Sequence, residues 1–267
     1  MTINFEVLGS SSKGNCHLLR TPESNILIDA GFSRKVITLL LERRNLAIGD
    51  IHAVFITHEH SDHCAGIRGL CKASNIIFFA NKKTAEEVGS KLGRAINWNV
   101  FENEKKFRFR DLEIVAFPLP HDAVDPIGYV FSMLTHGNDA SLHEKICIMA
   151  DLGYVPHGLV QYAIDVDWLV IEANHDLRLL ELDLKRPIYI KNRIRGKYGH
   201  LSNNAALSFI SQNFSKRWKK ITFVHLSGDC NTTEIVHGML RKCDFPKKLE
   251  FEVIDPSGNG NCRVTFD

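Results

Sequence analysis

One short segment of the sequence carries four side chains that can bind metal ions, the segment His58-Glu59-His60-Ser61-Asp62-His63. Imidazole and carboxylate groups together suit Zn²⁺, Mn²⁺ or Fe²⁺. His58 and His60 lie two residues apart, so in extended backbone they point to the same side and can bind one ion. Asp62 and His63 can reach a second ion nearby. A polar surface turn is the alternative, and the zinc-protease pattern H-E-x-x-H is excluded because Asp62 stands four residues after His58.

Two coordination spheres need more ligands than this segment supplies, and the sequence offers candidates after other apolar runs. His121, Asp151 and His225 each follow a predicted strand, which gives a ligand a rigid mounting. Asp29 closes an early predicted strand in the same way. Taken singly, such a residue is more often a hydrogen-bonded core or capping residue than a ligand. Together with the segment 58–63, these residues predict a metal site at the ends of several strands.

The elements that must position these residues are predicted from hydrophobic spacing. Apolar or alternating runs predict strands at residues 3–8, 16–19, 25–29, 53–57, 76–80, 112–117, 128–134, 145–150, 167–172, 221–226, 250–254 and 263–266. Helical spacing occurs after residue 63, around residues 158–163, and after the candidate N-caps Ser33, Asn81, Ser202 and Thr232. Two or three strands precede the first helix, which argues against a doubly wound sheet. Mixed strands with helices on the outer faces predict an α+β fold of two packed mixed sheets, in one domain over residues 1–267.

The composition restricts the class of protein further. No apolar run approaches the ~20 residues that span a bilayer, and the first eight residues lack the basic and apolar regions of a signal peptide. The seven cysteines are scattered and contain no C-x-x-C pair, which predicts neither a disulfide framework nor a cysteine zinc site. These features predict a reducing, cytoplasmic location and no membrane partner, and they leave the oligomeric state open.

The histidine and aspartate pattern resembles that of the metallo-β-lactamase fold superfamily over nearly the whole chain. The resemblance implies an αββα sandwich that holds two divalent metal ions per chain, Zn²⁺ or Mn²⁺. It also implies how the ligands are distributed: one ion bound by His58, His60 and His121, the other by Asp62, His63 and His225, with Asp151 as a bridge. Asp29 would then orient a ligand rather than bind metal itself.

Two further residues favour phosphodiesters over lactams and thioesters, all of which the superfamily cleaves. The segment GHLSN at residues 199–203 resembles the G-H-x-S element of the phosphodiesterase branch, in which the histidine contacts the scissile phosphate or the leaving group. His200 could protonate the leaving oxygen, and the helix start at Ser202 is a natural anion site. Glu172 ends an apolar strand and could fix the tautomer of His200. The alternatives are a capping turn at His200 and a strand-end carboxylate that caps the next helix.

Residues 185–220 contain ten Lys or Arg and no Asp or Glu, in a chain whose net charge is only +2. Such a basic tract suggests a local anionic partner such as DNA, although basic runs are usually solvated surfaces. Within the tract, Arg195 and Lys197 are candidate phosphate contacts. Tyr198 or Trp218 could stack on bases.

Longer motifs narrow the resemblance to one bacterial family, the YycJ/WalJ/VicX family. They are VLGSSSKGN at residues 7–15, LIDAG at 27–31, HDAVDPIGY at 121–129, EANHD at 172–176 and GHLSN at 199–203. This resemblance implies 5′→3′ exonuclease activity on DNA, with links to mismatch repair and to a cell-wall two-component system. Ser10, Ser11 and Lys13 of the first motif could line the mouth of the site, although loop serines often only form turns. Gly228 and Cys230 depart from the family pattern, in which we expect Arg and Asn.

These residues predict hydrolysis of a phosphodiester by metal-activated water. Asp62 would act through the metal site, and His200, oriented by Glu172, would protonate the departing 3′-oxygen. Three alternatives stay open. A phosphodiesterase for small cyclic or nucleotide-like diesters needs no basic tract, and a lactamase or thioesterase needs neither Glu172 nor His200. The third is a metal-bound, non-catalytic accessory protein of a signalling pathway.

Overall fold

The computed structural model of the chain describes residues 3–73, 75–93, 95–134, 144–257 and 261–264, the last four by their backbone alone. The chain divides into two compact units: unit 1 comprises Met1–Pro118 and Ala123–Glu144, and unit 2 comprises Leu119–Asp122 and Lys145–Asp267. The single domain over residues 1–267 stays a prediction. Within the described ranges, no helix has the length and apolar character needed to cross a membrane. The six cysteines whose side chains are described are free thiols.

Unit 1 contains a six-stranded mixed sheet whose strands lie in chain order. The strands are β1 (Asn4–Ser11), β2 (Gly14–Arg20), β3 (Asn25–Ile28), β4 (Ala53–Phe55), β5 (Ile77–Asn81) and β6 (Trp98–Phe101). β1, β2 and β3 pair antiparallel, and β3 to β6 pair in parallel. The helices of this unit are α1 (Arg34–Glu42), α2 (Ser61–Cys64), α3 (Ile67–Leu70) and α4 (Lys82–Leu92).

Three antiparallel strands complete unit 1: β7 (Lys106–Phe109), β8 (Leu112–Pro118) and β9 (Ile127–Met133). Aromatic side chains join them to the six-stranded sheet. Phe55 and Phe79 stack with ring centroids 4.5 Å apart, and Phe55 meets Phe131 edge-to-face at 5.5 Å. The Tyr129 hydroxyl, buried among these rings, donates to the Ile56 carbonyl at 2.7 Å. Burial of several aromatic rings accounts for much of the packing energy of such a core.

The described residues of unit 2 form five strands: β10 (Lys145–Met149), β11 (Trp168–Glu172), β12 (Lys220–Val224), β13 (Glu250–Ile254) and β14 (Asn261–Val264). β10 to β13 pair in parallel, and β14 pairs antiparallel with β13. Parallel strands need long connections, which helices supply. The helices are α5 (Val160–Ile164), α6 (Leu177–Leu182), α7 (Ile188–Ile194), α8 (Asn203–Gln212) and α9 (Thr233–Leu240).

All predicted strands are confirmed, although residues 265 and 266 of the last one lie outside the described residues. The four predicted N-caps are also confirmed, because each side-chain oxygen accepts a backbone N–H three residues on. These residues are Ser33, Asn81, Ser202 and Thr232. The sequence analysis missed two strands, β6 and β7, and two short helices, α6 and α7.

Candidate metal and catalytic site

The candidate ligands lie where parallel strands end, because the carboxyl ends of parallel strands meet at one edge of a sheet. In unit 1, Asp29 follows β3 and residues 57–63 follow β4; in unit 2, Asp151 follows β10, Glu172 ends β11 and His225 follows β12. Asp29, Asp151 and His225 have positive φ angles of 61°, 61° and 59°. Left-handed backbone is uncommon for residues other than glycine and concentrates at functional sites.

In unit 1, Asp29 organises the histidine cluster. Its buried carboxylate accepts from the Nδ1 of His63 at 2.7 Å, from the Thr57 N–H at 2.8 Å and from the Thr57 hydroxyl at 2.9 Å. The Thr57 hydroxyl also lies 2.9 Å from the Nδ1 of His58. The ring centroid of His58 lies 4.0 Å from that of His63 and 4.6 Å from that of His60. These contacts are the ones expected of an aspartate that orients ligands.

The first loop contacts the same cluster through Asn15, a buried residue that the sequence analysis did not assign to the site. The Asn15 amide nitrogen lies 3.0 Å from the Nε2 of His63 and 3.3 Å from a carboxylate oxygen of Asp62. The oxygen of the Asn15 side-chain amide (Oδ1) accepts a hydrogen bond from the Ser10 hydroxyl at 2.9 Å, which fixes the orientation of that amide. Ser10 is itself buried. The Ser10 hydroxyl therefore fixes the side chain of Asn15 by a hydrogen bond. A contact between Ser10 and the substrate stays a prediction.

In unit 2, Glu172 is the centre of the candidate site and is fully buried. One of its carboxylate oxygens accepts from the Nδ1 of His200 at 2.8 Å and from the Nδ1 of His225 at 2.9 Å. The other accepts the backbone N–H groups of Leu152 and Leu201, both at 3.1 Å. Each oxygen therefore accepts two hydrogen bonds. Through them the carboxylate fixes two imidazole rings and the backbone of two loops.

Charges within this cluster shift the pKa values of its members. Burial alone would raise the pKa of Glu172, but the charges and hydrogen bonds of His200 and His225 lower it to about 2. Burial would likewise lower the pKa of His225, but Asp151, 2.9 Å from its Nδ1, and Glu172 raise it to about 10. Ionised Glu172 can only accept hydrogen bonds, so both imidazoles carry a proton on Nδ1.

His121 belongs to unit 2 through the short segment 119–122. Its Nδ1 donates to the Gly199 carbonyl at 3.1 Å, and the N–H of Asp122 donates to the Tyr198 carbonyl at 3.0 Å. Burial lowers the pKa of His121, which favours the neutral imidazole that binds metal. The ring centroids of His121 and His200 are 5.2 Å apart. The structure thus brings His121 together with His200, and the ligand atoms of Asp151, Glu172, His200 and His225 lie within 4.8 Å of one another.

Four of the candidate histidines share a feature that fits metal binding, because the Nδ1 of each faces a protein oxygen. The oxygens belong to Thr57 for His58, Asp29 for His63, Gly199 for His121, and Asp151 and Glu172 for His225. Such contacts fix the ring orientation, with Nε2 as the nitrogen that would bind an ion. The Nε2 of His63 lies 3.0 Å from the Asn15 amide nitrogen and that of His121 lies 3.4 Å from an Asp122 carboxylate oxygen, so an ion would replace these contacts. In unit 1 these histidines accompany the carboxylate of Asp62, and in unit 2 that of Asp151. In each unit this combination of donors suits a divalent metal ion.

The basic tract is largely neutralised by acids from outside it. The ion pairs join Lys185 and Arg186 to Asp229, Arg186 to Asp183, Arg193 to Asp122, Arg195 to Glu181, Arg217 to Asp165 and Asp167, Lys219 to Asp167, and Lys220 to Glu252. Lys191 is buried, and its ammonium group donates to the Glu181 carbonyl at 2.7 Å. The described residues give no ion pair to Lys197 or Lys216. The tract therefore offers DNA less positive charge than its composition suggests.

The remaining predicted substrate contacts differ in their surroundings. Trp218 is only 4% exposed and its indole N–H donates to the Ala163 carbonyl at 2.7 Å, so the prediction that it stacks on bases is wrong. Tyr198 is 63% exposed. The Ser202 hydroxyl caps α8. The buried Ser11 hydroxyl accepts the backbone N–H of Lys13 at 3.2 Å. Roles of Ser11, Lys13 and Ser202 toward substrate stay predictions.

Comparison with known proteins agrees with this geometry. A sequence profile described as Beta-lactamase superfamily domain matches residues 24–217. Exodeoxyribonuclease WalJ of Streptococcus pneumoniae is 34% identical over 261 residues, which cover 95% of this chain and 94% of that protein. Exodeoxyribonuclease YycJ of Bacillus anthracis is 31% identical over 285 aligned positions, which cover 100% of both chains. The metallo-β-lactamase fold protein YhfI from Bacillus subtilis superposes with a TM-score of 0.69 at 14% identity, covering 98% of this chain and 99% of that one.

The likeness to YhfI concerns the fold alone and confirms the predicted α+β class, two mixed sheets flanked by helices. The two sequence relatives match this chain from end to end, well beyond the metal-binding motif. This chain belongs to the metallo-β-lactamase superfamily and, within it, to the family of WalJ and YycJ.

Proposed function

We propose that this chain is a metal-dependent DNA exonuclease that digests DNA from the 5′ end. Its relatives WalJ and YycJ are named exodeoxyribonucleases. The observation that carries the proposal is the buried Glu172, which holds both His200 and His225 through one carboxylate oxygen. Hydrolysis of a lactam or thioester does not require this additional histidine, whereas cleavage of a phosphodiester benefits from a proton donor for the leaving oxygen.

The proposed metal ligands are His58, His60, Asp62, His63, His121, Asp151 and His225. The family resemblance and the Nδ1 contacts of four of these histidines support this set. Two divalent ions, Zn²⁺ or Mn²⁺, would supply water made nucleophilic at neutral pH. Asp29 would hold the His63 ring in place, and Asn15 would hold the Asp62 carboxylate.

His200 acts on the phosphate in this proposal. Its Nδ1 proton is held by Glu172, so its Nε2 is the nitrogen available to substrate. A protonated His200 donates through Nε2 to a phosphate oxygen and then to the departing 3′-oxygen. Glu172 holds the His200 ring in the orientation and tautomer needed for this transfer, as a buried carboxylate does for a catalytic histidine in serine proteases.

End-labelled DNA tests the proposal directly. Single- and double-stranded oligonucleotides, with and without a 5′-phosphate, are incubated with protein loaded with Mn²⁺ or Zn²⁺. We expect mononucleotides to be released progressively from the 5′ end, and no cleavage after chelation of the metal. Release of nucleotides from the 3′ end only would refute the proposed 5′→3′ direction. If no DNA substrate were cleaved, the proposal that DNA is the substrate would be refuted.

A chromogenic phosphodiester separates the alternatives. Cleavage of this compound without cleavage of DNA would identify a small-molecule phosphodiesterase. The variant His200→Ala is expected to lower DNA cleavage by about 10²- to 10⁴-fold, whereas unchanged turnover would favour lactam or thioester hydrolysis. An Asp62→Ala variant that lost cleavage but retained every cellular role would indicate a non-catalytic accessory protein.

A further inference from the structure

Tyr198 occupies a rigid position next to the candidate catalytic histidine. Its carbonyl accepts the N–H of Asp122 at 3.0 Å, and the following carbonyl, of Gly199, accepts from the Nδ1 of His121 at 3.1 Å. The His200 N–H donates to the Ile194 carbonyl at 2.7 Å. Three consecutive residues are therefore fixed by hydrogen bonds along the segment that carries the proposed chemistry.

Gly199 explains why this segment can pass so close to its neighbours. A Cβ atom at this position would lie 2.1 Å from the Arg193 carbonyl oxygen and 2.2 Å from the Ile194 carbonyl oxygen. Because backbone atoms cannot move aside, only glycine fits there. The close packing holds the backbone of Tyr198 in one place.

The side chain of Tyr198 is 63% exposed although its backbone is fixed. A rigidly mounted, exposed aromatic ring is a typical stacking surface for nucleobases, and stacking tolerates any base sequence. Tyr198 and His200 lie two positions apart in the sequence, which is at most about 7 Å of chain. A 5′-terminal nucleotide whose 3′-phosphate contacts His200 could therefore place its base over the ring of Tyr198.

The charges beside Tyr198 favour nucleic acid over an apolar partner. Lys197 is exposed, and Arg193 presents an exposed guanidinium that binds Asp122 through Nε. Cations that flank a stacking ring are the usual arrangement on surfaces that bind single-stranded nucleic acid, because the phosphates follow the bases.

From these contacts we propose that Tyr198 stacks on the base of the terminal nucleotide and so positions the DNA end for cleavage. The inference deepens the proposed exonuclease function and rests on it. Tyr198 is a binding residue in this proposal, and the proton transfer belongs to His200.

Variants of two equally exposed tyrosines test the role of the ring. Tyr198→Ala is expected to raise KM for single-stranded DNA by about 5- to 100-fold with little change in kcat. Tyr198→Phe keeps the ring and is expected to behave as the wild type. Tyr189→Ala is the matched control, since Tyr189 is 68% exposed on α7 and lies outside the proposed site.

A substrate without its terminal base makes the test specific. An oligonucleotide that is abasic at the 5′-terminal nucleotide should bind the wild type more weakly, and Tyr198→Ala should then cause no further loss. A loss that persists on the abasic substrate, or an equal loss in Tyr189→Ala, would overturn the proposal. So would an unchanged KM in Tyr198→Ala.

Fluorescence supplies a reading independent of turnover. A phosphorothioate oligonucleotide with 2-aminopurine at its 5′ end should be quenched on binding the wild type and Tyr198→Phe, but not Tyr198→Ala. Equal quenching in all three proteins would refute stacking on Tyr198. If the wild type failed to cleave any DNA, the proposed function would be refuted, whereas this titration would still decide the role of Tyr198.

Discussion

Replacing Glu172 with glutamine keeps the shape of a fully buried side chain while removing its charge and half of its accepting oxygens. In the native protein the two oxygens accept four hydrogens, two from imidazoles and two from backbone N–H groups. A glutamine has one accepting oxygen and one NH₂ group. Whichever way the amide is turned, its NH₂ group faces two donors.

The magnitude follows from those four contacts. If the NH₂ group faces the backbone, the N–H groups of Leu152 and Leu201 both lose their acceptor; if it faces the imidazoles, only His200 does, because His225 keeps Asp151 at 2.9 Å. Each unpaired buried donor costs about 1–3 kcal/mol. The free energy of unfolding should therefore fall by about 1–6 kcal/mol in Glu172→Gln. His200 also loses the carboxylate that holds its Nδ1 proton and orients its ring at 2.8 Å, so kcat should fall by about 10²- to 10⁴-fold.

Urea denaturation and steady-state cleavage of end-labelled DNA measure the two effects on the same preparations. Glu252→Gln is a suitable control because Glu252 is also a buried strand glutamate, whose carboxylate binds Lys220 at 2.7 Å and Thr222 at 3.3 Å. Those partners are the first and the middle residue of β12, whereas His225 follows its last residue. The control should lose stability and keep its kcat. If Glu172→Gln matched the wild type in both assays, the reasoning that Glu172 holds both imidazoles would be refuted.

Three further substitutions test other parts of the structure. Asp29→Asn should lower the affinity for Mn²⁺ or Zn²⁺ by about 10- to 100-fold, because His63 loses the carboxylate on its Nδ1; competition with a chromogenic chelator measures this, and equal affinity would contradict it. Trp218→Ala should lower the free energy of unfolding by about 3–5 kcal/mol and leave KM for DNA unchanged, since the ring is buried; a raised KM in folded protein would restore a role in stacking. Burial would raise the pKa of Asp167, but its bonds to the Lys145 N–H, Lys219 and Arg217 lower it below the ordinary value of 3.8. A lowered carboxyl pKa stabilises the fold above the ordinary value, and this stabilisation is lost as the pH falls below it. Asp167→Asn should therefore be less stable than the wild type by about 1–3 kcal/mol at pH 7, and this difference should shrink as the pH falls below 3.8. A difference in urea midpoints that stayed constant as the pH fell would disprove the assignment.

The strands and the candidate ligands could be predicted from the sequence because both depend on local patterns. An apolar run followed by a histidine or aspartate identifies the end of a buried strand, and the observed strands end within two residues of Asp29, Asp151, Glu172 and His225. The missed elements lack such a pattern. β6 and β7 are only four residues long and contain polar residues between their apolar ones, so neither shows an apolar run. α6 and α7 are too short for helical periodicity to be recognised.

The contacts that organise the site join residues far apart in the chain, so no local pattern predicts them. Asn15 reaches His63 across 48 positions, and Glu172 reaches His225 across 53. The basic tract was misleading for the same reason, because the acids that neutralise it, such as Asp122 and Glu252, lie outside it. A polar residue at the start of a buried strand, as Asn15 is in β2, was the available signal for the residue that was missed.

The left-handed backbone at Asp29, Asp151 and His225 has a consequence for laboratory evolution of this chain. Residues held in such conformations cost a fold about 1–3 kcal/mol each, and glycine avoids that cost. At Asp29, however, the buried carboxylate accepts three hydrogen bonds, one from His63 and two from Thr57, and leaving these donors unpaired would cost at least as much as glycine recovers. Selection for heat resistance alone should therefore retain aspartate at the end of β3, even in descendants that have lost turnover. Frequent exchange to glycine there would show that the backbone strain outweighs the hydrogen bonds.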